Sequence, residues 1–194
     1  MMLDSSIQSL LTTHIMGRAL HVHDSLQSTN QAALEAARSG APDGTAIIAL
    51  EQTGGRGRFG RAWASPRGGL WLSLLLRPGP DPGYAPYIPM AAALALHDTL
   101  QREVSVKADL AWPNDLVHEG KKLAGLLAEQ SLSGHVLDYT VLGVGLNVNN
   151  RAETMPAPAR DIAVSCSDII GRDVDPHVIA AGLMNRFEPL YLAV

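Results

Sequence analysis

A chain of 194 residues has room for one α/β domain with a sizeable core. Its 46% hydrophobic and 18% charged content describes an ordinary globule, and its net charge of −4 argues against general nucleic-acid binding as the main task. Cys166 is the only cysteine, which excludes an intrachain disulfide framework and suits a reducing cytoplasm.

Residues 1–9 lack the basic and apolar regions of a signal peptide, and no apolar run is long enough to span a membrane. Residues 1–19 read as a lead-in with a helical turn or two around Ile7, Leu10 and Leu11, too short for a DNA-binding head. Leu20 to His23 alternates as a first strand. Ser28 and Gln31 have capping-box spacing, so an alanine-rich helix is expected to about Arg38, with Gly40 as its stop. Thr45–Leu50 and Leu70–Leu76 are apolar runs of strand length, separated by a glycine- and arginine-rich loop. A helix is expected from about Pro89 to Gln101, with Met90, Leu94, Leu96 and Leu100 on its apolar side. Lys107 to Trp112 reads as extended, because Trp112 precedes a proline. Hairpins are expected at Glu119-Gly120 and Ser133-Gly134, and the second return strand runs from Leu137 to Leu146. Residues 151–160 read as a loop, followed by a helix over Asp161–Ile170 and another from Pro176 that Pro189 ends or bends. Strands outnumber helices and mostly follow one another, an α+β pattern with a mixed, largely antiparallel sheet in a single domain.

The segment Gln52-Thr53-Gly54-Gly55-Arg56-Gly57-Arg58-Phe59-Gly60-Arg61-Ala62-Trp63 reverses the sign of the chain. From Gln52 to Pro80 there are five arginines and no Asp or Glu. Glycines let backbone N–H groups form an anion nest, and arginines add planar forks for phosphate or carboxylate. Gly55-x-Gly57-x-x-Gly60 matches the dinucleotide fingerprint literally. That fingerprint needs a helix directly afterwards, and here a strand follows. The spacing of a P-loop is also missing. The loop has little apolar surface to bury and is expected to be mobile when empty.

Other polar residues allow two readings. Ser28, Thr29 and Asn30 suit a helix cap, and a helix start can also hold a polar ligand. Asn114 and Asp115 suit a turn after Pro113, or the placing of a magnesium–nucleotide complex. Strand alternation should leave Lys121 in solvent and turn Lys122 into a cleft. Asn147 can cap a strand end or touch a phosphate or its ion. The seven histidines show no metal-ligand spacing, and no nucleophile–base set is visible. This chemistry is one of positioning and charge stabilisation.

Taken together, Ser28-Thr29-Asn30, Gln52 with Gly55 to Arg61 and Trp63, Trp112-Pro113-Asn114-Asp115, and Lys122-Leu123-Ala124-Gly125 resemble the catalytic domain of biotin protein ligases. Gly143 to Asn147 is a weaker fifth match. The resemblance spans roughly residues 15–190 and implies a class II synthetase-like sheet flanked by helices. It implies that biotin's carboxylate attacks the α-phosphate of Mg·ATP, and that a lysine of a biotin carboxyl carrier domain then takes biotin from biotinyl-5′-AMP. By position, Ser28, Thr29, Asn30, Gln52, Arg56, Gly57, Arg58 and Lys122 would bind biotin. Arg58, Trp63, Asn114, Asp115 and Asn147 would serve ATP, with Lys122 and Arg58 catalytic. Biotin's bicycle wants apolar walls and its ureido group fixed hydrogen bonds, which the leucine-rich strand 70–76 and Gln52 can supply.

Two departures stand out. Ala111 occupies a position commonly lysine in the family, implying weaker ATP affinity or loop ordering. No N-terminal winged helix or C-terminal β-domain is visible, so no operator binding is expected. A sheet edge allows a homodimer. The rivals are a lipoate or octanoate ligase or transferase of the same fold, a phosphate-gripping binding module, and a degenerate ligase that holds biotin without acylating it.

Overall fold

A computed structural model describes residues 2–79 and 81–193. Along the chain run α1 (Met2–Leu10), β1 (Leu20–Leu26), α2 (Thr29–Arg38), β2 (Ala46–Gln52), β3 (Leu70–Leu76) and α3 (Tyr87–Val104). Then come β4 (Asp109–Ala111), β5 (Asp115–His118), β6 (Lys121–Ser133), β7 (Val136–Leu146), α4 (Ala159–Ile162), α5 (Cys166–Ile170) and α6 (Pro176–Leu192). The strands form one seven-stranded sheet in the order β1-β2-β3-β7-β6-β5-β4. Only the β1–β2 pair is parallel. The expected mixed, largely antiparallel α+β sheet is therefore present.

Period-two alternation divides the sheet into two unlike faces. Leu72 and Leu74 of β3, and Leu142, Val144 and Leu146 of β7, point to one face. There they pack with Ile88 and Leu96 of α3 and with Ile179, Leu183 and Phe187 of α6 in the main core. Ile47, Leu75 and Val141 point the other way, against Ala33 and Ala37 of α2. This smaller cluster covers only part of its face. The rest is open.

Several boundaries differ from expectation for identifiable reasons. Helix α1 is nine residues long rather than a turn or two, and buries Ile7. Leu10 remains 43% exposed, whereas Leu11, just beyond the helix, is buried. Ser28 caps α2 by accepting from the Gln31 N–H, but Gln31 turns its side chain to Glu35, so the reciprocal half of the capping box is not made. Helix α3 buries Ile88, Ala92, Leu96 and Leu100. Met90 and Leu94 are 42% and 50% exposed, because 3.6 residues per turn carry them away from a face built partly of alanine. Asp161–Ile170 is not one helix. It breaks between α4 and α5, where the Val164 N–H donates to the Lys122 carbonyl and Ser165 starts α5 with a full capping box. Helix α6 continues through Pro189 rather than ending there.

Glu188 on α6 ties down the lead-in. Its carboxylate accepts from the backbone N–H groups of His14, Ile15 and Met16 at 2.6–2.9 Å. Burial pushes this carboxyl up, but the three N–H groups outweigh it and hold it below the usual glutamate range. Cys166 is fully buried and its thiol is pushed up to about 12 by that burial, so it stays protonated and unreactive at neutral pH.

Candidate functional site

The open half of the second face is a cleft of about 590 Å³. Its floor is cleared by glycine. Gly145 pairs with Gly125 across β7 and β6, and Gly143 pairs with Ser73 across β7 and β3. A Cβ on Gly145 would lie 2.6 Å from Trp63 Nε1, and one on Gly125 would lie 3.2 Å from both the Trp63 ring and Lys122 Cε. A Cβ on Gly143 would collide with Asn30 Oδ1. Glycine inside a strand marks such a close approach. Here it lets an indole and an amide approach the sheet closely.

The residues singled out in the sequence converge on this cleft. Ser28, Thr29, Asn30, Gln52, Arg56, Gly57, Arg58, Trp63, Asn114, Asp115, Lys122 and Asn147 all line it. The segment from Gln52 to Ser65 folds as a narrow hairpin over one side, with bridges Gln52–Ser65 and Arg56–Ala62. Phe59 and Gly60 turn its tip with φ of 57° and 72°, and Phe59 is 85% exposed. Arg58 Nη1 donates to Asn114 Oδ1 at 3.0 Å, fastening the tip to the opposite wall. Asn114 is held in turn by its Nδ2 bond to the Leu126 carbonyl.

Lys122 faces the cleft, and Lys121 is exposed. Simple alternation is not the cause. The register runs Leu116↔Ala124 and then Val117↔Lys122, so Leu123 is an extra residue on β6. This bulge lets Leu123 and Ala124 both enter the core and re-aims Lys122 toward Gly125. Lys122 Nζ lies 2.7 Å from Asp115 Oδ2 and 5.2 Å from the centre of the Trp63 ring. Asp115 Oδ1 and Trp63 Nε1 are buried without a hydrogen-bond partner. Asn147 is more fully committed. Its Nδ2 donates to the Lys122 and Val164 carbonyls and its Oδ1 accepts from Asn150, which is the strand-capping arrangement.

The apolar walls are not where the leucine-rich strand suggested. Leu70–Leu76 lies beneath the cleft, with its leucines spent on the two cores. The walls come from Leu127 on β6 and from Met155, Ala157 and Ile162 in the segment before and within α4. Two more residues stand beside the site without belonging to any of the motifs. Ser73 is fully buried beside Thr29 and Asn30, and Glu129 accepts from Asn30 Nδ2 at 2.7 Å and faces Arg56 at 3.7 Å. A lone serine among five leucines and a tryptophan was the available signal for Ser73.

Residues 22–147 match the biotin/lipoate A/B protein ligase family. The chain belongs to that family. It is 36% identical over 189 residues to the bifunctional ligase/repressor BirA of Bacillus subtilis, covering 97% of this chain and 58% of that protein. It is 39% identical over 160 residues to the biotin–[acetyl-CoA-carboxylase] ligase of Mycobacterium tuberculosis, covering 78% and 58%. The chain thus spans somewhat over half the length of these curated relatives. Among solved structures, the biotin protein ligase from Aquifex aeolicus in complex with biotin and ATP aligns with a TM-score of 0.75 and 31% identity, over 91% of this chain and 71% of that one. The class II synthetase-like fold implied by the motifs is the fold of these biotin protein ligases. Among the described residues, no helix is long and apolar enough to cross a membrane.

Proposed function

We propose that this chain carries out ATP-dependent ligation of biotin to a lysine of a biotin carboxyl carrier domain, through biotinyl-5′-AMP. The observation that carries this reading is the convergence of Lys122, the arginine hairpin, and the Thr29–Gln52 polar wall on one glycine-floored cleft. The family takes in both biotin and lipoate ligases, and the relatives and solved structures named for biotin support that substrate over a lipoyl one.

Two anions must meet before the first bond forms. Lys122 is the cation at the meeting point of biotin's carboxylate and the α-phosphate, and Arg58 flanks the phosphate. In the resting site Asp115 holds Lys122, so the incoming anions take over a preoriented ammonium. The carboxylate oxygen attacks the α-phosphorus and pyrophosphate leaves. In the second step the carrier lysine's amine attacks the mixed anhydride carbonyl, forming the amide and releasing AMP. No protein nucleophile is required. Trp63 packs against Gly145 and Gly125 and supplies an aromatic wall next to the nucleotide, while Asn147 holds the strand end that carries Lys122.

Among the described residues no cluster of three or more metal-ligating side chains exists. Mg²⁺ keeps most of its ligands as waters and phosphates, and the unpartnered Asp115 Oδ1 with Asn114 beside it suits such an ion. There it would offset charge on the ATP phosphates. The hairpin acts as a lid that keeps water from the adenylate. Ala111, on β4 next to Trp112, leaves that edge without the usual cation and predicts a raised KM for ATP.

The test is to incubate the chain with biotin, Mg·ATP and a biotin carboxyl carrier domain and to weigh the carrier. A gain of one biotinyl group on a single lysine is expected. An unmodified carrier together with no biotin-dependent pyrophosphate would refute the proposal.

A further inference from the structure

The polar wall of the cleft has more contacts than protons. Three oxygen–oxygen contacts run in a chain: Asn30 Oδ1 to Ser73 Oγ at 2.6 Å, Ser73 Oγ to Thr29 Oγ1 at 2.8 Å, and Thr29 Oγ1 to Gln52 Oε1 at 3.1 Å. Only the two hydroxyls have protons to give. One contact must therefore bring two lone pairs face to face.

Both ends of the chain are fixed. At one end the Thr29 backbone N–H donates to Gln52 Oε1 at 2.8 Å, so that end of the Gln52 amide is its oxygen. Its Nε2 is turned away to Ser65 Oγ at 2.8 Å. At the other end stands Glu129. An ionised carboxylate only accepts, so it draws the NH₂ of Asn30 and leaves Oδ1 toward Ser73. Ser73 then gives its proton to Asn30, and the single Thr29 proton goes to the closer of its two neighbours, Ser73 at 2.8 Å rather than Gln52 at 3.1 Å. The longest contact, Thr29–Gln52, is left without a proton. Thr29 and Gln52 both line the cleft, whereas Glu129 and Ser73 do not.

We propose that Glu129 is a positioning residue that sets the direction of this hydrogen-bond chain, so that Thr29 Oγ1 and Gln52 Oε1 together present an acceptor pair to a ligand N–H. The group such a pair takes is a cyclic urea N–H. This inference rests on biotin being the ligand. Arg56 approaches the second oxygen of Glu129 at 3.7 Å, so the same carboxylate touches the lid. Replacing Glu129 by glutamine keeps the shape and removes the compulsion. Asn30 can then turn over, Ser73 can donate to Thr29, and Thr29 can donate to Gln52, which closes the acceptor pair.

The experiment is isothermal titration of the full chain and its Glu129→Gln variant with biotin and with the two cyclic carbamates in which one ureido N–H is replaced by oxygen. For biotin, Glu129→Gln is expected to bind roughly three- to tenfold more weakly, the scale of one neutral hydrogen bond. For one carbamate, the preference for biotin seen in the unmodified chain should shrink several-fold in the variant. Ser73→Ala, which cuts the same chain without touching Glu129, should shrink it likewise even if Glu129→Gln does not fold. Combining the two substitutions should cost no more than the worse single one. Unchanged affinity in Glu129→Gln, or an equal loss for biotin and both carbamates, would overturn the inference and leave the ligase reading standing. An unmodified chain that takes up no biotin would overturn both.

Discussion

The two faces of the sheet are made by the same strands and do opposite work. On β7, Leu142, Val144 and Leu146 fill the core while Gly143 and Gly145, interleaved with them, clear the cleft floor. On β3, Leu72 and Leu74 are core residues and the intervening Ser73 serves Thr29 and Asn30. Period-two geometry thus separates stability from chemistry within one strand. Substitutions one residue apart should report on different properties.

The largest effect is expected on the packed face. Leu142→Ala should cost about 2–5 kcal/mol in denaturant unfolding, because it leaves a cavity in a close-packed core. Biotin affinity of the folded fraction should change less than twofold. On the cleft face Lys122→Ala should slow biotin-dependent pyrophosphate release roughly a hundredfold, the scale of losing one preorganised charge-stabilising group, with little change in unfolding. If release stayed near normal, Lys122 would lose its place between the two anions. Gly145→Ala should come next, weakening biotin and ATP binding by roughly tenfold, because a Cβ there displaces the Trp63 ring on which the ligand wall depends. Unchanged affinity would mean that the glycine floor is not a requirement of the site.

Glu188 provides an effect that depends on pH. Its carboxyl is held below the usual range in the folded chain, so its contribution is full above the ordinary glutamate value and is lost as pH falls through the lowered one. Glu188→Gln should cost about 1–3 kcal/mol near neutrality, and its stability should fall less steeply on acidification than that of the unmodified chain. Parallel stability–pH curves would show that the three N–H bonds do not favour the ionised form.

Much of this division was legible in the sequence, where short-range rules suffice. The strand Leu70–Leu76 has the expected limits, and the Glu119-Gly120 turn has φ of 49° and 78°. The clustering of the arginine loop with Thr29, Asn114 and Lys122 also followed from recognising the motifs together. What escaped was set by tertiary pairing. The break between α4 and α5 exists because Val164 pairs with a β-strand carbonyl some 40 residues earlier in the chain. The bulge at Leu123 depends on register with β5, which alternation along β6 alone does not reveal. Glu129 is an ordinary strand glutamate until α2 and the lid are placed above it. The most apolar strand suggests the walls, yet that strand is apolar because both cores claim it.

On the proposed reading, the cleft face joins biotin to a nucleotide without a protein nucleophile. That joining is tested most directly by mixing the chain with biotin and Mg·ATP in the absence of any carrier and following pyrophosphate. A rapid release approaching one pyrophosphate per chain, with biotinyl-AMP retained and no covalent mass added to the protein, is the predicted result. Absence of biotin-dependent release, or a biotinyl or adenylyl group fixed to a residue of the cleft, would contradict it.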